Sequence, residues 1–305
     1  MRLNEIPDWV TFPEDDWIQI TPAEAGLDPR KFDAFLAGLN LRGMNYGGKP
    51  HDGNDWGLLL TRGGYLVHTW GDGDYKYQTA STGKAFTYAL LGLAVQEGLV
   101  QADDLINDTW TGEGQLSHPH KYLDQGHHKT LTWRHLVGIK WGAGHYGGFP
   151  IEIGYFWKMG RKATPAEFQD MVPEWANWTG DPFHDIYSHI EPGSRRHYSS
   201  AGTWRAVQAL TYLWDRDLKD VLDEKIMSKI GIAADDWDWM IGRDVQQDRD
   251  FYPAMPNSWD YLDPPYEING HPVRSGPGWV VISAKDLARF GLLVATGGNW
   301  KGEQL

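Results

Sequence analysis

The sequence contains no cysteine, which excludes disulfides, thiolate metal sites and cysteine nucleophiles together. It also lacks any run approaching the ~18 uninterrupted apolar residues of a membrane-spanning helix, and the stretch from Met1 to Trp17 mixes acidic, aromatic and proline residues where a secretory core would be apolar. A soluble protein with no membrane partner is expected, cytoplasmic as the sequence is written, or periplasmic if a signal has been removed. Basic charge is in deficit: 28 Lys and Arg stand against 41 Asp and Glu, a formal net charge of −13. That balance argues against a phosphate-backbone partner, so no nucleic acid is expected and the charge reads as a solubilising surface. There is no G-x-S-x-G nucleophile elbow, which argues against an α/β-hydrolase. The glycine-rich pieces Gly142-Ala143-Gly144 and Gly276-Pro277-Gly278 lack the strand-to-helix setting of phosphate loops.

What is present is a chain of 305 residues with 41% apolar content, enough for a substantial core. Seventeen tryptophans are several times the usual frequency and admit two readings, large-area core packing or an aromatic-walled pocket for an apolar substrate. His118, His120, His127 and His128 cluster with Asp124, yet their spacing matches no zinc motif and the segment is polar, so a solvated loop is expected and no metal.

Two apolar runs around Gly63-Gly64, in residues 56–70, predict a hairpin. A helix beginning at Ser81 is expected to stop near Gly98, followed by a turn and a short extended piece through Ile106. Leu131 to Val137 reads as a short helix capped by Thr132. Residues 164–178 can form another helix, and 201–229 a long one broken around Asp215 to Asp217. Residues 233–271, acidic, aromatic and proline-rich, read as an irregular surface excursion. An amphipathic helix from Ser283 ends at Gly297-Gly298. Strand signal is sparse after residue 70, so further sheet partners for the hairpin are expected beyond Leu305.

The chemistry concentrates in Tyr77-Gln78-Thr79-Ala80-Ser81-Thr82-Gly83-Lys84-Ala85-Phe86. A serine and a lysine three residues apart share a helix face. The residues that follow, Phe86, Ala89, Leu90, Leu93 and Ala94, are apolar almost all round, so the helix should be buried and Lys84 poorly hydrated, which favours its neutral amine. Such a lysine can take the proton of Ser81, while the helix N-terminus offers N–H groups to an oxyanion. Farther on, Pro192-Gly193 turns the chain and Tyr198-Ser199-Ser200 leads into a helix.

Together these residues resemble the serine β-lactamase and D-alanyl-D-alanine carboxypeptidase superfamily, in particular its class C-like branch of esterases and amidases. Its members carry S-x-x-K at a buried helix start and, later, a P-G-x-x-x-x-Y-S-N-x-G loop whose tyrosine faces the serine. Gly98-Leu99-Val100 through Leu105, Leu131-Thr132-Trp133-Arg134-His135-Leu136-Val137-Gly138, and Gly276-Pro277-Gly278 through Phe290 resemble further segments of that family in the same order. The resemblance implies an α+β fold, a mostly antiparallel sheet flanked by helices, forming a single catalytic domain over residues 1–305 with a helical lobe at roughly 100–270. It implies that Ser81 attacks an acyl carbon, that Lys84 relays its proton, that Tyr198 acts as general base and then acid, and that no cofactor is needed. The substrate would be a small-molecule ester or amide.

Two departures qualify it. Ser200 stands where the family has a substrate-binding asparagine, a shorter side chain with fewer polar groups. No K-T-G or H-x-G, the family's third motif on a strand beside the serine, follows the Gly276–Phe290 run, so the chain as written, ending at Gly302-Glu303-Gln304-Leu305, is expected to lack the C-terminal strands. The alternatives are a β-lactamase or D,D-carboxypeptidase and, from another class, a non-catalytic binding protein that retains the fold.

Overall fold

The computed structural model describes residues 6–39, 56–109, 130–137, 192–193, 200–247 and 265–305. Helix α1 (Pro29–Gly38) starts at Asp28, whose carboxylate accepts from the Arg30 and Lys31 N–H groups, with proline pre-setting φ in the first turn. Strands β1 (Gly57–Arg62) and β2 (Tyr65–Gly71) form the expected hairpin. Its two-residue turn places Gly63 and Gly64 at φ of 58° and 85°, the positive values that a tight hairpin turn requires. Next come β3 (Lys76–Gln78), a 3₁₀ turn (Ala80–Gly83) and α2 (Lys84–Gln96). Helices α3 (Ile106–Thr109), α4 (Trp133–Val137), α5 (Ser200–Trp214) and α6 (Leu218–Leu222) follow. The break between α5 and α6 falls at Asp215, at φ 48°, as its sequence predicts. Beyond it lie β4 (Asp238–Trp239), α7 (Gly242–Gln247), β5 (Glu267–Ile268), β6 (His271–Pro272), β7 (Val280–Ser283), α8 (Ala284–Ala295), β8 (Asn299–Trp300) and β9 (Glu303–Gln304).

These elements gather into two compact units, one made of residues 1–79, 222–238 and 281–305, the other of 80–221 and 239–280. In the first, Val67 of β2 packs with Phe32 and Ala25, backed by Ile20, Leu36 and Leu60. Strand β3 pairs antiparallel with β7, Tyr77 opposite Ile282, an alliance of short segments that the sequence does not announce. Ser283 caps α8, its hydroxyl accepting from the Asp286 N–H and donating to the Asp286 carboxylate at 2.7 Å. The buried guanidinium of Arg289 donates to the carbonyls of Pro13, Glu14, Asp15 and Ile230. Burying that charge is tolerable because the carbonyl oxygens satisfy it.

The second unit is built around α5, which carries Trp204, Ala206, Val207, Ala209 and Leu210 into the interior and packs against α2 and α4. Helix α2 contributes Phe86, Leu90, Leu91, Leu93 and Ala94, and each such large side chain contributes about 1.5–3 kcal/mol on burial. Thr132 precedes α4 as expected, its carbonyl accepting from His135 and Leu136. The short extended piece reduces to a bridge between Leu105 and Thr132, with α3 beginning at Ile106.

Two expectations are corrected. The chain does not enter the α-helix at Ser81: residues 80–83 form a 3₁₀ turn and α2 begins at Lys84. Residues 233–247 are not a loose surface excursion either, since Trp237 and Trp239 are buried and β4 and α7 form there. Large apolar rings outweigh the acidic residues between them. The expected helix at 164–178 lies outside the described residues. Among the described residues, no helix is long and apolar enough to cross a membrane.

Candidate active site

The 3₁₀ turn brings Ser81 and Lys84 together more directly than an α-turn would, because i and i+3 side chains eclipse in that geometry. The Lys84 amine lies 3.3 Å from Ser81 Oγ and donates to the Pro277 carbonyl at 2.7 Å. Lys84 is 5% exposed, as its apolar helix predicts, whereas Ser81 is exposed to solvent. The sequence suggested that both would be buried. The correction follows from the 3₁₀ turn, which leaves Ser81 and Thr82 outside α2 and open to an incoming molecule.

Opposite the pair stands a turn, Ser275-Gly276-Pro277-Gly278, closed by the Gly278 N–H donating to the Ser275 carbonyl at 3.1 Å. Its carbonyls all have partners, as buried backbone requires. Gly276 O accepts from the Thr87 hydroxyl of α2 at 3.0 Å, Pro277 O from Lys84, and Gly278 O and Ser275 O from the indole of Trp239. A Cβ on Gly278 would overlap the Ala80 carbonyl oxygen, so only glycine lets the turn approach the serine this closely. The next residue, Trp279, donates its N–H to Ala80 O at 3.2 Å. Trp279 and Ala80 both hold left-handed backbone, at φ 58° and 45°. For non-glycine residues this costs on the order of 1–3 kcal/mol each and concentrates where function demands it.

The other candidates are placed less fully. Ser200 is the first residue of α5. Tyr198 lies outside the described residues, as do His118, His120, Asp124, His127 and His128. Among the described residues, no group of three or more His, Asp or Glu is arranged to hold a metal ion. The Pro192-Gly193 turn preceding Tyr198 faces α4, where a Cβ on Gly193 would stand 3.2 Å from His135 Nε2. His135 Nδ1 accepts the Thr132 N–H at 3.2 Å, and burial pushes the imidazole below its ordinary pKa, toward the neutral form.

Sequence reasoning singles out Ser81 and Lys84, which lie 3.3 Å apart, but not Pro277, Thr87 and Trp239, which bond to Lys84 or to the turn opposite it. Pro277 acts through a backbone carbonyl, which has no residue-type signature. Trp239 carried a readable signal, the alternation Asp236-Trp237-Asp238-Trp239 with the tryptophans buried, a strand period set inside an acidic stretch.

A model of the beta-lactamase family matches residues 45–304. Among solved structures, a Bacillus anthracis protein described as a 6-aminohexanoate-dimer hydrolase is similar over 98% of this chain and 68% of its own, at 15% identity and a TM-score of 0.51. That likeness shows a shared fold. A penicillin-binding protein homolog from Caulobacter crescentus aligns at 16% identity over 83% of this chain and 68% of that one, with a TM-score of 0.48. A D-amino acid amidase from Ochrobactrum anthropi aligns at 19% identity over 79% and 65%, with a TM-score of 0.44. No curated protein matches the chain.

Proposed function

The chain belongs to the beta-lactamase family of hydrolases, with its α+β, transpeptidase-like fold, and from that premise we propose that it hydrolyses an ester or amide through an acyl-enzyme on Ser81. The observation that carries this reading is the pairing of an exposed hydroxyl with a buried amine 3.3 Å away. Burial favours neutral Lys84. One N–H is donated to Pro277 O, and in the proposed reaction the neutral amine turns its lone pair toward Ser81 Oγ, 3.3 Å away.

In the proposed reaction Ser81 Oγ bonds to the acyl carbon as its proton passes to Lys84, with Tyr198 in the same relay. The tetrahedral intermediate expels the alcohol or amine, which takes that proton from Tyr198 or Lys84. Water then attacks the Ser81 ester, losing a proton to the same base, and the acid leaves as Ser81 Oγ is reprotonated. The Ser81 N–H, in the turn ahead of α2, is the proposed donor to the oxyanion.

Ser200 in place of asparagine favours simple esters and amides over β-lactams, because a lone hydroxyl offers less to an acylamino side chain. The test compares kcat/KM for p-nitrophenyl acetate with that for nitrocefin, in the wild type and in Ser81→Ala. Faster ester turnover that disappears with Ser81 supports the reading. Faster nitrocefin turnover makes the protein a β-lactamase, and no Ser81-dependent turnover of either supports a binding protein on this fold.

A further inference from the structure

We infer that Trp239 is a positioning residue for this reaction, its indole N–H gripping the Ser275–Gly278 turn at both ends and so holding the Pro277 carbonyl on Lys84. The inference rests on Ser81 and Lys84 being the reacting pair. Trp239 is fully buried, and its Nε1 donates to Ser275 O at 2.7 Å and to Gly278 O at 3.0 Å. Those carbonyls flank Pro277, whose own oxygen points to the Lys84 amine at 2.7 Å.

The grip has a fixed base. The Trp239 carbonyl accepts from Arg274, and the Arg274 guanidinium makes a bidentate pair with Asp217 at 2.8 and 2.6 Å. Met240 beside it donates its N–H to Trp279 O and accepts from the Ser275 N–H. The backbone at Trp239 and Met240 is therefore tied to both arms of the turn, and the indole reaches across the gap between them. Core packing alone does not call for this arrangement. Trp133, just as deeply buried in the same unit, leaves its indole N–H without a partner among the described residues.

The chemical consequence lies at the lysine. A neutral amine can act on Ser81 only when its lone pair faces Oγ, and the Pro277 acceptor restricts the rotation that sets this. Loosening the turn leaves substrate binding in place and lowers the fraction of time in which Lys84 is correctly oriented.

The experiment is a double-mutant cycle. Trp239→Phe removes the N–H and keeps an aromatic ring, and the rate at which a fluorophosphonate labels Ser81 is followed by intact mass, in wild-type and Lys84→Ala backgrounds. In parallel, kcat and KM for p-nitrophenyl acetate are measured per titratable site. The expected result is a loss of about tenfold in labelling rate and kcat, with KM changed by less than about twofold. In the Lys84→Ala background, Trp239→Phe should cost less than about twofold.

Equal costs in the two backgrounds, or no cost in wild type, overturn the inference while leaving the reacting pair intact. A Lys84→Ala protein labelled at the wild-type rate overturns the pair and the inference together. If Trp239→Phe does not fold, benzothienylalanine at position 239 preserves the ring volume, deletes only the N–H, and gives the same readings.

Discussion

Lys84 donates to the carbonyl of Pro277 at 2.7 Å, across 193 residues of sequence. The reactive end of the S-x-x-K motif is thus set by a distant turn as well as by its own helix. That turn supplies a neutral oxygen, and under the proposed mechanism the active species is the neutral amine. Lys84→Ala is expected to lower kcat by at least ~10²-fold with a much smaller change in KM. Lys84→Arg should not restore it, since a guanidinium stays protonated. Steady-state kinetics of the three proteins check this, and an active Lys84→Arg enzyme would contradict it.

Gly278 is the second structural test. With no room for a Cβ beside Ala80, Gly278→Ala must push the turn away from Ser81 or distort both. A destabilisation of about 1–3 kcal/mol is expected from such overpacking, read by urea denaturation. Slower labelling of Ser81 should accompany it. Wild-type stability and labelling together would show that the approach of the two backbones matters less than its closeness suggests.

His135 gives a pH test with a definite sign. Burial lowers its pKa below the ordinary 6.5, so between the folded value and 6.5 the unfolded chain binds more protons. This contribution to stability is present in full above 6.5 and is lost as the pH falls through that window. His135→Gln should therefore show a smaller drop in Tm than the wild type between about pH 7.5 and pH 5. Equal drops in the two proteins would contradict the assignment.

The sequence made the locally encoded parts legible. The Gly63-Gly64 hairpin, the amphipathic helix ahead of Gly297-Gly298 and the break at Asp215 each depend on nearby residues, and each appears where expected. The β3–β7 pairing does not, because Lys76-Tyr77-Gln78 and Val281-Ile282-Ser283 become strands only by meeting each other. Ser81 and Lys84 were visible as residue types at a helical spacing. The 3₁₀ turn that exposes one and the carbonyl that orients the other were not, since both arise from contact with residues 275–279.

Ser200 tests the substrate preference. Restoring asparagine with Ser200→Asn should raise the ratio of amide to ester turnover, because it supplies the amide donors and acceptor that a serine lacks. Hydrolysis of an aryl ester and its matching anilide, measured on both proteins, decides the point. An unchanged ratio would remove Ser200 from substrate recognition.

The central claim is that Ser81 is the nucleophile, and the most direct measurement is intact mass after incubation with a fluorophosphonate, with the adduct located by peptide mapping. The account predicts one adduct per chain in the wild type, carried on Ser81 and lost in Ser81→Ala. An unlabelled wild-type protein, or an adduct that survives Ser81→Ala, would contradict it.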